Sequence, residues 1–506
     1  MLAALALAGS AWGGVARAQT PPPVFQSWLN SLQSQGYTVT QGSALEFTSS
    51  YCQQTIFPIF HTCFSSDPGD PYLQPLVPLG AGYQDPYYQN PITLPSGVQV
   101  GESFELDKTE AVVTLVQMPP TAAYMSYQSY LFTRPVSNYP NGVQTLSPDP
   151  SRAFEFATFN NSINNVDVLK QSGVGFGGGT VGFMTTANGT LMKNLVSSFV
   201  AVGGNPQLLF PDQMGSNLHP GLTSAADDFS LVVRYSLPQN ETTGDLFRTN
   251  IANNMEVYRI HQPAGMSVAR YAKITLDTKY YNADETSLAS ELQELSQLLQ
   301  GWLATNENKP SAAIYKAAAT LKVTTAGVME AGELGPYCIQ QGTTCGADEQ
   351  DSAAYWGANP GPLAASQLMF VDGVDHTVTN NATFVSIGAS DAHEGAGVAE
   401  AAQTNPTATG FTSGTLTGSA AQVLKDLGLY SKASSKLIQA LPDLFVTIFT
   451  RPCSGPVYCT AYYTTTLTTA EVPYQDNISI TERAYVLPGY PTGANPDYLL
   501  DPYVIY

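Results

Sequence analysis

Short runs of β-branched and aromatic residues, each closed by proline, glycine or asparagine, recur between residues 111 and 486 and limit what this chain can fold into. Residues 111–118 form one such run ahead of Pro119-Pro120. Residues 123–133 follow with Tyr and Phe in near alternation, which predicts two strands around a turn. Further strand candidates lie at 180–186, 207–210, 229–235, 255–261, 271–278, 367–374, 382–387, 444–450, 460–466 and 478–486. Helical periodicity interrupts them at 24–35, 189–202, 244–251, 282–303 and 420–440. In the fourth of these, Asn282 is placed to cap the helix with Glu285 three residues on, and Leu288, Leu292, Leu295, Leu299 and Leu303 form one apolar stripe.

This mixture predicts an α+β fold, and 506 residues are enough for several domains at roughly 100–200 residues each. Each half of the chain opens with a pair of strands around a turn, passes through a helix and ends on a strand followed by proline. Those final strands fall at 255–263 and 444–452. The expectation is two lobes of mixed sheet with packed helices, at 101–265 and 266–506, arisen by internal duplication and with a cleft between them. Residues 19–100, dense in Pro, Tyr, Gln and Ser, read as a segment that wraps the surface. The Pro- and Tyr-rich tail is expected to pack back along the body.

Residues 1–18 have the pattern of a secretory signal peptide: an apolar, Ala-rich stretch ends in Ala16-Arg17-Ala18, a site for cleavage before Gln19, although no Lys or Arg precedes the apolar run. The six cysteines form three local pairs, Cys52 with Cys63, Cys338 with Cys345 and Cys453 with Cys459. Three short disulfide loops, each contributing roughly 2–3 kcal/mol, suit an oxidising compartment, either secreted or periplasmic. Five Asn-x-Ser/Thr triplets, at Asn160, Asn188, Asn240, Asn381 and Asn477, are glycan acceptors in a eukaryotic secretory pathway and Asn-rich turns otherwise. Twenty Lys and Arg against forty Asp and Glu leave a net charge of −20, which argues against nucleic acid as a partner. No stretch after the leader has the ~18 consecutive apolar residues of a spanning helix, so membrane insertion is not expected.

Several stretches look familiar. Glu110-Ala111-Val112-Val113 leading to Pro119-Pro120 and on through 124–134, then Asp227-Asp228-Phe229, Gly373-Val374-Asp375-His376 and Ile480-Thr481-Glu482-Arg483-Ala484-Tyr485 resemble a family of uncharacterised secreted proteins. The resemblance covers most of 100–506. It implies one extended structural unit and assigns no activity to any residue.

Only five histidines are present, so their placement is informative. His376 and His393 lie in a stretch that also holds Asp372, Asp375, Asp391 and Glu394. His376, His393 and Glu394 form a candidate metal set of two imidazoles and a carboxylate, suited to zinc or iron. Solvated turn residues explain the same pattern. Were 367–374 and 382–387 a hairpin, His376 would sit in its turn and His393 beyond the opposite end. Ser390 follows a strand candidate in Gly388-Ala389-Ser390-Asp391-Ala392, and with His393 and Asp391 it makes a candidate nucleophile, base and orienting acid. Gly395 and Gly397 do not favour the helix that a nucleophile elbow needs next. The glycines of 173–179 precede a strand instead of joining strand to helix, so they read as a loop. Tyr124, Tyr127, Tyr130 and Arg134 are candidate ligand-binding residues that could line a cleft for flat ligands or sugars, with Tyr87 and Tyr88 as further aromatics. Core packing explains these tyrosines equally well. Arg134, Arg234, Arg259 and Arg483 stand in apolar strands, which predicts buried Arg–carboxylate pairs.

Two functions follow. One is an exported hydrolase acting on an extracellular polymer or ester. The other is a non-catalytic ligand-binding or surface protein that uses its tyrosines. Substrate and oligomeric state are left open by the sequence.

Overall fold

The computed structural model describes residues 21–60, 63, 69, 71–82, 91–138, 149–306, 314–316, 318–319, 334–341, 350–365, 367–393, 396–404, 412–453, 455–468 and 472–506. Residues 1–18, Tyr87, Tyr88, Cys345 and Glu394 lie outside the described residues.

Strands β1 (Thr38–Gln41), β2 (Ser43–Phe47), β3 (Tyr72–Pro78), β4 (Glu110–Gln117), β5 (Ala122–Pro135), β6 (Arg152–Thr158), β7 (Thr180–Thr186), β8 (Leu209–Gln213), β9 (Asp228–Pro238) and β10 (Met255–His261) build the first half. They divide between a sheet of order β1-β10-β4-β7-β8 and a larger one through β2-β3-β9-β5-β6, which also carries short extra strands. Helices α1 (Pro23–Ser34), α2 (Asn165–Ser172) and α3 (Gly189–Ala201) belong to this half, with further helical segments that include Glu241–Thr249. β4 shows the physical logic. Val113 and Leu115 pack with Phe25 and Trp28 of α1 and Leu191 and Leu195 of α3, while Val112 and Val116 pack with Tyr127, Leu131 and Val233 of the other sheet. A strand covered on both faces reads as an unbroken apolar run, as 111–118 does. The segment 19–100, expected to wrap the surface, instead supplies β1 to one sheet and β2 and β3 to the other.

The second half repeats this plan. Its strands are β11 (Ile314–Lys316), β12 (Ala318–Ala319), β13 (Ser352–Pro362), β14 (Leu368–Val374), β15 (Phe384–Asp391), β16 (Ala396–Ala402), β17 (Leu444–Thr450), β18 (Thr464–Thr466), β19 (Asn477–Tyr485) and β20 (Tyr503–Ile505). Their orders are β11-β20-β14-β17-β18 and β12-β13-β19-β15-β16, so each strand occupies the place of the one numbered ten lower. The sense of pairing matches as well: β7 with β8 and β17 with β18 are parallel, and the other neighbours in these two orders are antiparallel. Alternation is repeated too. Phe370 and Val374 of β14 pack with Leu292, Leu295 and Leu299 of helix α4 (Ala289–Asn306), and Met369 and Val371 pack with Val385 and Ile387 of β15.

The expected correspondence of 255–263 with 444–452 is corrected by this topology. Met255–His261 matches Tyr503–Ile505, and Leu444–Thr450 matches Thr180–Thr186. Local punctuation looked alike at both sites, but rank along the chain is not rank across a sheet. Likewise 367–374 and 382–387 are no hairpin, because β14 and β15 enter different sheets, as β4 and β5 do. Residues 271–278 run without a ladder: β1 already occupies the outer edge of β10. The helical pattern at 420–440 breaks into α5 (Ser419–Asp426) and α6 (Ser435–Ala440), since Gly428 adopts φ 69° and Ser434 caps a new helix.

The halves meet around equivalent residues. Tyr124 near the start of β5 and Phe384 at the start of β15 stack with ring centroids 6.2 Å apart and planes 2° from parallel, and Tyr485 stacks on Tyr124 at 4.7 Å. Leu237 and Val486, each three residues after the buried Arg234 or Arg483, share a left-handed backbone at φ 53° and 59°.

Cys52 is bonded to Cys63 and Cys453 to Cys459. Cys338 is also disulfide-bonded. Among the described residues no helix is long and apolar enough to cross a membrane.

Candidate ligand-binding pocket

The residues singled out by the sequence do not gather into one cleft. Ser390 and Asp391 lie on β15, 2% and 1% exposed, in the ladder between β16 and β19. Asp391 Oδ1 accepts a hydrogen bond from the backbone N–H of His393 at 2.7 Å, so that contact does not engage the imidazole. The exposed His393 ring stands edge-on to Phe57 with centroids 6.3 Å apart. The strand–turn–helix geometry of a nucleophile elbow is not present around Ser390, which has ladder partners on both sides.

Both ring nitrogens of His376 face carboxylates: Nδ1 lies 2.9 Å from Glu285 Oε1, and Nε2 lies 3.7 Å from Glu482 Oε1, all three side chains being buried. Glu285 therefore serves as this partner, and Asp284 caps the turn ahead of α4 in place of Asn282. Among the described residues, no group of three or more His, Cys, Asp or Glu is arranged to hold a metal ion. Burial opposes the charge on His376, but Glu285 and then Glu482 outweigh it and raise its pKa well above the ordinary value. Burial also works against the Glu285 carboxylate, and His376 holds its pKa below the usual range. A raised histidine contributes stability that is complete below its unfolded pKa and is lost as pH rises through the folded one. Glu285 contributes in the opposite sense, and its share is lost as pH falls through its lowered value. The thermal midpoint is thus expected to fall on the alkaline side, and His376→Gln to flatten that limb; equal slopes in both proteins from pH 7 to 10 would refute the assignment.

Tyr124, Tyr127 and Tyr130 are 0–1% exposed and Arg134 is 4% exposed. Tyr127 stacks on Phe183 and Tyr130 on Phe156. These residues are core, and their placement corrects the expectation that they line an open cleft. The arginine expectation holds in its geometry for two of the four: Arg134 pairs with Asp227 and Arg259 with Glu110, all buried, while Arg234 donates to the Tyr130 hydroxyl; Arg152, which the sequence reading did not single out, pairs with Asp228. Asn188 and Asn381 are fully buried, so neither can accept a glycan in the folded chain; Asn188 caps α3, and Asn381 donates to Glu285.

A pocket of about 230 Å³ opens where the halves adjoin at the start of α2. The turn between β6 and α2 provides Asn160, Asn161, Ser162 and Ile163, and α2 adds Asp167 and Gln171. Phe210 and Pro211 of β8, Asp277, and Pro491 with Thr492 close it. A capping box fixes the helix start: Asn164 Oδ1 accepts from the N–H groups of Val166 and Asp167, and Asp167 Oδ2 accepts from the N–H of Asn164 at 3.2 Å. Two buried carboxylates anchor the floor. Asp351 accepts from Tyr124, Ser162 and Asn164, and Asp212 accepts from Ser129, Asn160 and Thr185. Asn161 Oδ1 accepts from the N–H of Asp277 at 3.0 Å. Thr492 is 3% exposed, and its hydroxyl has no hydrogen-bond partner.

Burial raises the Asp167 carboxyl to about 7; the Asn164 N–H acts against this, Asp351 and Asp277 add to it, and Lys170 opposes it weakly. Among the described residues, no Lys, Arg or His lines the pocket. Beside it stand exposed tyrosines. Tyr280 and Tyr490, 51% and 40% exposed, have ring centroids 5.2 Å apart, and Tyr281 stacks on Tyr498 at 3.7 Å. A second cavity, around Glu102 and the rings of Phe47, Tyr72, Phe132 and Phe156, measures about 30 Å³, room for about two waters. Of these residues the sequence reading named only Asn160, as an Asn-x-Ser triplet, and passed over the helix at Asn165–Ser172, which the Asn-x-x-Asp step Asn164–Asp167 could have signalled. Asp277 and Thr492 reach the pocket from segments far away along the chain.

No protein-family model matches the chain. No curated protein matches it by sequence. Among solved structures, a protein from Vibrio parahaemolyticus is similar over 80% of this chain and 88% of its own, at 9% identity and a TM-score of 0.32. An uncharacterised protein from Burkholderia cenocepacia is similar over 97% of this chain and 92% of its own, at 12% identity and a TM-score of 0.35.

Proposed function

We propose that this is an exported binding protein for a saccharide, the second of the two functions open from the sequence. The observation that carries the reading is the pocket at the start of α2, where amides, hydroxyls and carboxylates line a concave site that adjoins exposed tyrosines. Polar groups held in fixed orientation beside aromatic faces suit a ligand whose ring carries hydroxyls on its edges and C–H groups on its faces. Tyr280 follows Asp277 by three residues, and Tyr490 directly precedes Pro491, so both tyrosines flank lining segments. The disulfides support an oxidising compartment.

Titration calorimetry with mono- and oligosaccharides tests the reading. Binding is expected, weakened about tenfold in Tyr490→Ala through loss of one stacking face. No binding across neutral, acidic and amino sugars would remove it. A hydrolase is the alternative, favoured by one observation: a carboxyl at about 7 shares the pocket with Asp277, as an acid and a base would. Release of reducing ends from a bound oligosaccharide would support the hydrolase over the binding protein.

A further inference from the structure

We infer that the cavity around Glu102 is a binding site for an ammonium cation of methylammonium size, held by the Glu102 carboxylate and the Gln74 amide oxygen inside a box of aromatic rings. The site is separate from the saccharide pocket, and its failure would leave that reading untouched.

Acceptor oxygens that lack donors are the first ground. Gln74 of β3 lines the cavity and is 5% exposed. Its amide nitrogen donates to Leu231 O at 2.7 Å, Glu102 O at 3.0 Å and Ser230 Oγ at 3.3 Å, which fixes the orientation of the amide. Among the described residues none donates to Oε1, the atom that this network leaves to the cavity. The half-buried Glu102 accepts from the Tyr51 hydroxyl through Oε1, and its Oε2 has no donor among the described residues. Buried acceptors are expensive to leave unmet, so the occupant has to donate hydrogen bonds.

The aromatic wall is the second ground. Phe132 and Phe156 stand at 87° with centroids 6.1 Å apart, and Phe47 and Tyr72 at 39° and 6.4 Å. Ring faces attract a cation electrostatically, most strongly where water is excluded. Phe156 has φ 42°, a left-handed backbone that a bulky residue seldom adopts, and it lies where the pairing of β6 with β5 shifts register between Leu131 and Thr133. Strain of this kind clusters at ligand clamps. Burial lifts the Glu102 carboxyl to about 7 against the Tyr51 hydrogen bond. The Arg234 guanidinium stands 5.0 Å from the Tyr72 centroid and donates to the Tyr130 hydroxyl, and it is not among the lining residues. Its charge opposes a second cation, so binding depends on Glu102. The volume of about 30 Å³ admits about two heavy atoms, as in methylammonium, and excludes a tetraalkyl cation.

β2 and β3 supply Phe47, Tyr72 and Gln74, and β5 and β6 supply Phe132 and Phe156. An occupant that binds these strands only when they are assembled raises the thermal midpoint by mass action. Midpoints are measured up to about 100 mM of each probe at constant ionic strength, because so small a ligand binds no tighter than the millimolar range. Methylammonium chloride is expected to give a saturable rise. Methanol is as small but uncharged, potassium is a cation without N–H donors, and tetramethylammonium is too large; none of them should give that rise. Glu102→Gln keeps an acceptor beside Tyr51 and removes the charge, so it should weaken methylammonium at least about tenfold. Phe132→Leu keeps the bulk and removes one ring, and should weaken it about threefold to tenfold. An equal rise with potassium or methanol overturns the ammonium assignment, and one with tetramethylammonium overturns the cavity as its place. An unchanged response in Glu102→Gln overturns the site. No saturable rise with methylammonium overturns the inference and leaves water as the occupant.

Discussion

Arg134→Leu is expected to destabilise the fold by about 3–5 kcal/mol, the cost of leaving a buried charge without its partner. Arg134 Nε donates to Asp227 Oδ1 at 2.8 Å, and Nη2 donates to Oδ2 at 2.6 Å and to Asn217 O at 2.9 Å. Asp227 is fully buried, and Oδ2 also accepts from the N–H of His219 at 2.8 Å. Burial works against the Asp227 carboxylate, yet Arg134 and His219 together hold its pKa below the usual range. That depressed value marks stability present above the unfolded pKa and lost as pH falls through the folded one. In the leucine variant this acid limb should vanish. Asp227 must then either remain charged without its guanidinium or take up a proton. The contrast that identifies the mechanism is the double variant Arg134→Leu/Asp227→Leu. Two apolar side chains of similar bulk remove the orphaned charge, so the double variant should be more stable than the single one. Urea unfolding at pH 7 checks both, and a double variant less stable than Arg134→Leu would show that strand packing, not the unpaired charge, causes the loss.

The second large effect is expected at the contact between the halves. Tyr124→Ala removes one ring of the three-ring cluster it forms with Tyr485 and Phe384 and should cost about 3–5 kcal/mol, as aromatic-to-alanine changes in cores do. Tyr124 also makes polar contacts, since its hydroxyl donates to Asp351 Oδ2 at 2.8 Å and lies 2.6 Å from Ser126 Oγ. Tyr124→Phe keeps the stack and deprives Asp351 of one donor, so its expected cost is smaller, about 1–3 kcal/mol. The two variants also differ for the pocket. Asp351 holds Ser162 and Asn164, so Tyr124→Phe should loosen that floor and weaken ligand binding while the stack persists. Denaturant midpoints and calorimetric affinities for both variants check this. A phenylalanine variant as damaged as the alanine one would mean that the hydroxyl, not the ring, holds the halves together.

Much of the fold was legible because burial writes periodicity into the chain. The run 111–118 and the stripe from Leu288 to Leu303 declare a strand and a helix, and the structure contains both. Where the sequence misled, a long-range partner outweighed a local signal. Glu285 stands three residues after Asn282, as a capping box requires, but it is paired with His376 from a turn about ninety residues later. The spacing of Tyr124, Tyr127 and Tyr130 allowed a cleft or a core, and the second sheet and the other half of the chain decided for core. The pocket was almost silent. Asp277 fell within the strand candidate 271–278, and Asp167 and Thr492 drew no reading from the sequence.

From the sequence by itself came the α+β class, the local pairing of Cys52 with Cys63 and Cys453 with Cys459, the interior arginine–carboxylate pairs and the acidic balance that argues against polyanion partners. Each depends on composition or on neighbours close along the chain. Only the tertiary structure decided how the halves correspond, since strand order across a sheet is set by which edges long-range pairing leaves free. It alone brought Asp167, Asp277 and Thr492 to one pocket, where Asn161 Oδ1 accepts from the N–H of Asp277 and Asn164 Nδ2 donates to Pro491 O, and no periodicity in the sequence encodes such a meeting.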